Sequence, residues 1–181
     1  IHNEAAGSSL WDRLAVMEDD WLMGLGRHVP GLRAATAERL VAVTSLANAE
    51  LALISALPGV VPITQVLLSP AAVADIVLLT KNQIMLVLKL AAIYGRSVQL
   101  VSRLGELAPV VGSAFGWRAL AREVVGAVPG GVGVAAKASI AYAGTYTVGR
   151  AAQLFYARGE RISPEEEKHI YTQALERARG I

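Results

Sequence analysis

The sequence predicts an all-α helical bundle built from hydrophobic helical hairpins with Pro-Gly hinges. Two long apolar runs break at the same kind of corner, Ala56-Leu57-Pro58-Gly59-Val60-Val61-Pro62-Ile63 and Ala127-Val128-Pro129-Gly130-Gly131-Val132-Gly133-Val134, with helix-forming residues on both sides. Proline removes a helix donor and clashes with the preceding turn, while glycine frees the backbone to reverse direction. No segment has the two-residue alternation of a strand, whereas helical spacing recurs along the chain. Composition adds a constraint: apolar residues make up 54% and charged residues 18% of the 181, against roughly 45–50% and about 25% in ordinary soluble domains. So little polar surface calls for a bilayer or a partner to cover part of the bundle.

The first element is an amphipathic helix with Ser9 as its start and Leu10, Leu14, Met17 and Trp21 on one face, expected to end near Gly24 to Gly26. Its other face carries Arg13, Glu18, Asp19 and Asp20, and His28-Val29-Pro30-Gly31 reads as a turn. A second helix is expected from about Thr36, as cap, to Leu57. After the first hinge the pattern is helical from Ala71 to Tyr94 and stops at Gly95. A shorter helix is expected near Val98 to Leu107, and another from Pro109 through Val128. The second hinge leads into a helix from about Val134 to Ala157, closed near Gly159. The last helix has the sharpest start, with Ser163 as N-cap, Pro164 at the first position and Glu166 completing a capping box. Ile170, Ala174 and Ala178 form its apolar stripe. Three segments follow: an N-terminal amphipathic helix over 1–30, a hairpin domain over 31–159 and a C-terminal helix over 160–181.

The 24 uncharged residues from Leu51 to Ala74 reach spanning length, but Pro58, Pro62 and Pro70 interrupt them. In the next helix Asp75, Asn82, Lys89 and Arg96 recur every seven residues, and Thr80-Lys81-Asn82-Gln83 sets polar groups around its middle. A lysine at the centre of a lipid-exposed helix costs about 2.5–3.5 kcal/mol on insertion scales, so a lone spanning helix is disfavoured. Asp75, Lys81, Asn82, Gln83 and Lys89 are therefore the candidate interaction residues or polar seam. In the helix after the second hinge, Ala135, Ser139, Ala143, Thr147 and Ala151 form a ridge of small residues, suited to close approach of two helices.

No catalytic, cofactor-binding or metal constellation emerges. Gly131-x-Gly133-x-x-Ala136 imitates a dinucleotide fingerprint, but it sits in a helical pattern and the position 20 beyond is Tyr156. There is no phosphate-binding loop of the Gly-x4-Gly-Lys-Ser/Thr kind, and His2, His28 and His169 are isolated from one another. A net charge of +2, with acids and bases interleaved, gives no field for nucleic acid. The absence of cysteine excludes disulfides and thiolate chemistry. The chain begins at Ile1 without an initiator methionine, as expected of a processed chain or a piece of a longer one.

Leu79-Thr80-Lys81-Asn82-Gln83-Ile84-Met85, Ile93-Tyr94-Gly95, Arg118-Ala119-Leu120-Ala121-Arg122-Glu123, the Val128-Pro129-Gly130 corner and Tyr146-Thr147-Val148-Gly149-Arg150 follow one another from about Ala71 to Tyr156. In that order and spacing they resemble the bacterial domain-of-unknown-function family 697, the YcjF-like helical module found beside Era- or dynamin-type GTPase domains. The resemblance implies membrane association, no established activity, and a role as the helical, non-catalytic partner of a GTPase on this chain or another. The expected function is thus a non-enzymatic helical module at the bacterial inner membrane, coupling a GTPase to the bilayer. The alternative is a cytoplasmic assembly subunit whose apolar faces are covered by a protein partner or by self-association.

Overall fold

Gly24 and Gly26 lie inside the first helix rather than at its end. In the computed structural model, which describes residues 19–56, 70–96 and 134–179, helix α1 spans Asp19–His28. Gly26 is buried and serves close approach: a Cβ there would stand 2.9 Å from Ile93 Cγ2 and 3.3 Å from Thr36 Cβ. The helix ends two residues later, where Pro30 starts a 3-10 turn over Pro30–Leu32.

That turn feeds directly into α2, Arg33–Ala56. Thr36 is therefore not the cap; it sits in the first turn and its hydroxyl donates back to Leu32 O at 2.8 Å. Pro30 has already fixed the backbone for entry, so no separate capping residue is needed. Arg33 closes the corner: its Nε donates to Gly26 O at 3.2 Å, and its guanidinium lies 5.6 Å from the Tyr94 ring centroid. A cation on the last carbonyls of α1 also suits the helix dipole.

Helix α3 spans Pro70–Ile93, with proline at its first position, where a missing N–H costs nothing. Gly95 ends it with φ +71°, while Arg96 N donates to Ala91 O and Gly95 N to Ala92 O. These two bonds are the Schellman closure that glycine permits. Helix α4 spans Val134–Arg158 and closes on Gly159, φ +80°, whose N–H donates to Phe155 O at 2.8 Å. Helix α5 spans Pro164–Ala178, and Ser163 Oγ accepts from Glu166 N at 3.1 Å as the capping pattern predicts. The Glu166 carboxylate lies 3.7 Å from Arg158 Nη1, tying the start of α5 to the end of α4. Among the described residues there are five α-helices and no strand: the protein is an all-α helical bundle.

Helix α4 is the hub, packing against α2, α3 and α5, while α1 lies across α2 and α3. Val41 from α2, Leu86, Leu90 and Ile93 from α3, and Val148 from α4 are almost completely buried at the centre. Each such side chain contributes about 1.5–3 kcal/mol relative to exposure, more than its helix propensity decides. Gly149 sets the spacing, because a Cβ there would lie 2.8 Å from both Val41 methyls and 3.0 Å from Leu86 Cδ2. The α5 stripe is rotated from expectation: Tyr171 and Ala174 are buried, whereas Ile170 and Ala178 are half-buried. The N-cap at Ser9, the helices expected over Val98 to Leu107 and Pro109 to Val128, and both hinges beyond Ala56 and before Val134 lie outside the described residues.

Candidate functional site

The polar belt of α3 is divided. Lys81 is exposed, but Asn82 is half-buried and Gln83 is buried at 5% exposure. Gln83 Nε2 donates to Thr145 Oγ1 of α4 at 3.3 Å, and Asn82 Nδ2 donates to Asn48 Oδ1 of α2 at 2.7 Å. Asn48 Nδ2 in turn donates to Thr145 Oγ1 at 2.8 Å. Four neutral polar side chains thus join α2, α3 and α4 at one level of the bundle. Asn48 and Thr145 are 0% and 1% exposed, so water cannot replace these bonds if one partner is lost.

Of the seam expected along Asp75, Asn82 and Lys89, the node contains Asn82. Lys89 is half-buried on the same helix two turns further on, and the Asp75 side chain lies outside the described residues. The node's other half, Asn48 and Thr145, was not foreseen. A signal did exist in α2, where Val41, Ser45, Asn48 and Ala52 share one face and all four are buried. A polar residue at core spacing marks a hydrogen-bonded contact as well as a charge does.

The small-residue ridge of α4 changes character along its length. Ala143, Thr147 and Ala151 are buried at 0%, 1% and 5% exposure, where α4 meets its neighbours closely. Ser139 is half-buried and Ala135 exposed, so the first part of the ridge borders open space. The ridge hydroxyls are used within the helix: Ser139 donates to Ala135 O and Thr147 to Ala143 O. Below the node, Arg150 Nη1 reaches Gln153 Oε1 at 2.6 Å and Glu38 Oε1 at 3.3 Å, and Gln153 Nε2 donates to Ala34 O. This bracket fixes α2 against α4 a second time.

Titratable chemistry is sparse. Burial pushes the Glu167 carboxyl and the Tyr171 phenol up, and Glu167 Oε1 and Tyr171 Oη, one turn apart on α5, are buried with no hydrogen-bond partner. Burial and then the neighbouring Tyr146 push the Tyr142 phenol up, with Arg177 opposing. Arg177 Nη1 donates to Tyr146 Oη at 3.0 Å. Among the described residues no three His, Asp or Glu side chains gather closely enough to hold a metal ion.

Large apolar side chains nevertheless face outward. On α2 these include Leu46, Leu53 and Ile54, the last 58% exposed, and on α3 Val77, Leu78 and Met85, with Val77 at 62%. Trp21 of α1 is 67% exposed. Among the described residues no helix is long and apolar enough to cross a membrane. Comparison of the chain with family models, curated proteins and solved structures finds no match.

Proposed function

We propose that the protein is a non-enzymatic helical module that associates with a membrane surface through outward apolar side chains and couples a GTPase domain to it. The exposure of large apolar side chains on α1, α2 and α3 carries this reading. Leu53 and Ile54 on α2 and Val77 and Leu78 on α3 expose neighbouring large apolar side chains, the kind of surface a contact uses. The inward turn of Asn82 and Gln83 supports surface attachment over spanning, because it spends the polar belt inside the bundle. The likeness of residues 71–156 to the GTPase-associated module supports the second half of the reading.

The purified chain, without detergent, is expected to sediment with anionic liposomes. Ile54→Glu and Val77→Glu, at exposed positions, should each release a large part of the chain to the supernatant with little change in melting temperature. A chain that remains in the supernatant overturns the membrane reading. The second reading, an assembly subunit covered by a protein partner, is favoured by the exposed charges Glu50 and Lys81 on the same two helices. A protein surface offers counter-charges to such residues, whereas a bilayer interior does not.

A further inference from the structure

Where the last turns of α2, the first turns of α4 and the end of α5 diverge, they flank a half-open cavity of about 660 Å³. That volume lies within the roughly 300–1,000 Å³ typical of small-molecule sites. Its origin is visible in the sequence of its walls. Ala49 of α2, Ala135 and Ala138 of α4 and Ala178 of α5 all line it, and their short side chains leave room between the helices. The same ridge that closes α4 onto its neighbours at Ala143 and Thr147 here borders the space instead. Leu53, Ile140 and Leu175 supply the larger apolar walls. Tyr142, 8% exposed, also lines the cavity. Two charges complete the lining: Glu50 on the α2 wall and Arg179 just after α5, both exposed.

We propose that this cavity binds a single-chain zwitterionic amphiphile of the lysophospholipid type. Its alkyl chain lies against Leu53, Ile140 and Leu175, its cationic group meets Glu50, and its phosphate meets Arg179. One acid and one base beside an apolar trough select this head. A fatty acid's carboxylate can pair with Arg179 but leaves Glu50 without a partner group, and an alkylammonium can pair with Glu50 but leaves Arg179 without one. The site takes monomeric lipid from solution; it shares Leu46 and Leu53 with the outward apolar surface of α2, but Ile54 and Val77, the positions that test bilayer docking, do not line it.

The test is calorimetric titration of the full chain with dodecylphosphocholine below its micelle-forming concentration, beside dodecanoate and dodecyltrimethylammonium. Saturable one-to-one binding is expected, with the zwitterion preferred about 2- to 5-fold over each singly charged head, as for partly exposed ion pairs. Arg179→Gln should remove the handicap of dodecyltrimethylammonium, and Glu50→Gln that of dodecanoate. Ala135→Trp, which fills the cavity from an exposed position, should weaken binding at least about tenfold with the melting temperature retained. Ala178→Leu provides a second, smaller plug should the tryptophan disturb folding. Non-saturable uptake, equal binding of the three heads, or undiminished binding by both plugged variants overturns the proposal. So does a cavity filled by a second copy, seen as a dimer that dissociates on Ala135→Trp. Binding of dodecylphosphocholine by a chain that ignores liposomes would sink the membrane reading and leave this one standing.

Discussion

Replacing Thr145 by valine removes one hydroxyl and almost no volume, which isolates the hydrogen bonds of the buried node. Thr145 Oγ1 accepts from Asn48 Nδ2 at 2.8 Å and from Gln83 Nε2 at 3.3 Å. Asn48 is fully buried, so its amide would lose a short bond without access to water. An unsatisfied buried polar group costs about 1–3 kcal/mol. The Gln83 bond is longer and Gln83 retains 5% exposure, placing its loss at the low end. The sum for Thr145→Val is about 2–4 kcal/mol, or a fall in melting temperature of about 4–16 °C for a chain of this size. Thr145→Ser keeps the oxygen and should cost only the lost methyl, about 1 kcal/mol. The combined change Asn48→Leu, Gln83→Met, Thr145→Val should recover much of the loss, since it removes both buried amides orphaned by Thr145→Val and deprives only the half-buried Asn82 amide of its acceptor. Chemical denaturation followed by far-ultraviolet circular dichroism measures all three. If Thr145→Val is no more costly than Thr145→Ser, the node does not hold the helices and the reasoning fails.

Gly149→Ala should destabilise by about 1–3 kcal/mol through overpacking against Val41 and Leu86, less a helix-propensity gain of up to about 1 kcal/mol. Gly24→Ala, with nothing within 4 Å of the added Cβ, should instead stabilise; thermal melts of both variants check the contrast. Because burial raises the Glu167 carboxyl, the folded chain holds that proton more tightly than the unfolded one. Its contribution is present below the ordinary carboxyl range and lost as pH rises through the raised value. Glu167→Gln should therefore melt above the wild type at neutral pH and match it in acid; equal melting temperatures at both would refute the burial argument.

What the sequence made legible was mostly local. The Ser163 cap, the Pro164 start and the glycine closures at Gly95 and Gly159 depend on neighbours within a few residues, and all appear where the pattern places them. Gly26 shows the limit of that logic. As a residue type it signals a stop, but its neighbours in space are Ile93 and Thr36, and they make it a packing contact. The belt at residues 80–83 was readable as unsuited to lipid, yet its partners were not. Asn48 and Thr145 lie 97 positions apart, and uncharged polar residues in apolar runs attract little notice beside Lys81 or Glu50. The ridge from Ala135 to Ala151 was equally visible as a stripe. Whether each part packs or opens depends on the divergence of α2, α4 and α5, which no spacing within α4 encodes.

The central claim is that the polar belt is spent inside a bundle that rests on a membrane surface. The absence of native cysteine makes Lys81→Cys a clean reporter at the belt's exposed position. The variant, sedimented with anionic liposomes, is to be labelled with a water-soluble, membrane-impermeant maleimide. The account predicts that the chain pellets with the vesicles and that Cys at this position, on the same helical face as the exposed Val77 and Met85, reacts more slowly than in free protein. A chain left in the supernatant, or a vesicle-bound chain whose thiol reacts at the free-protein rate, would contradict it.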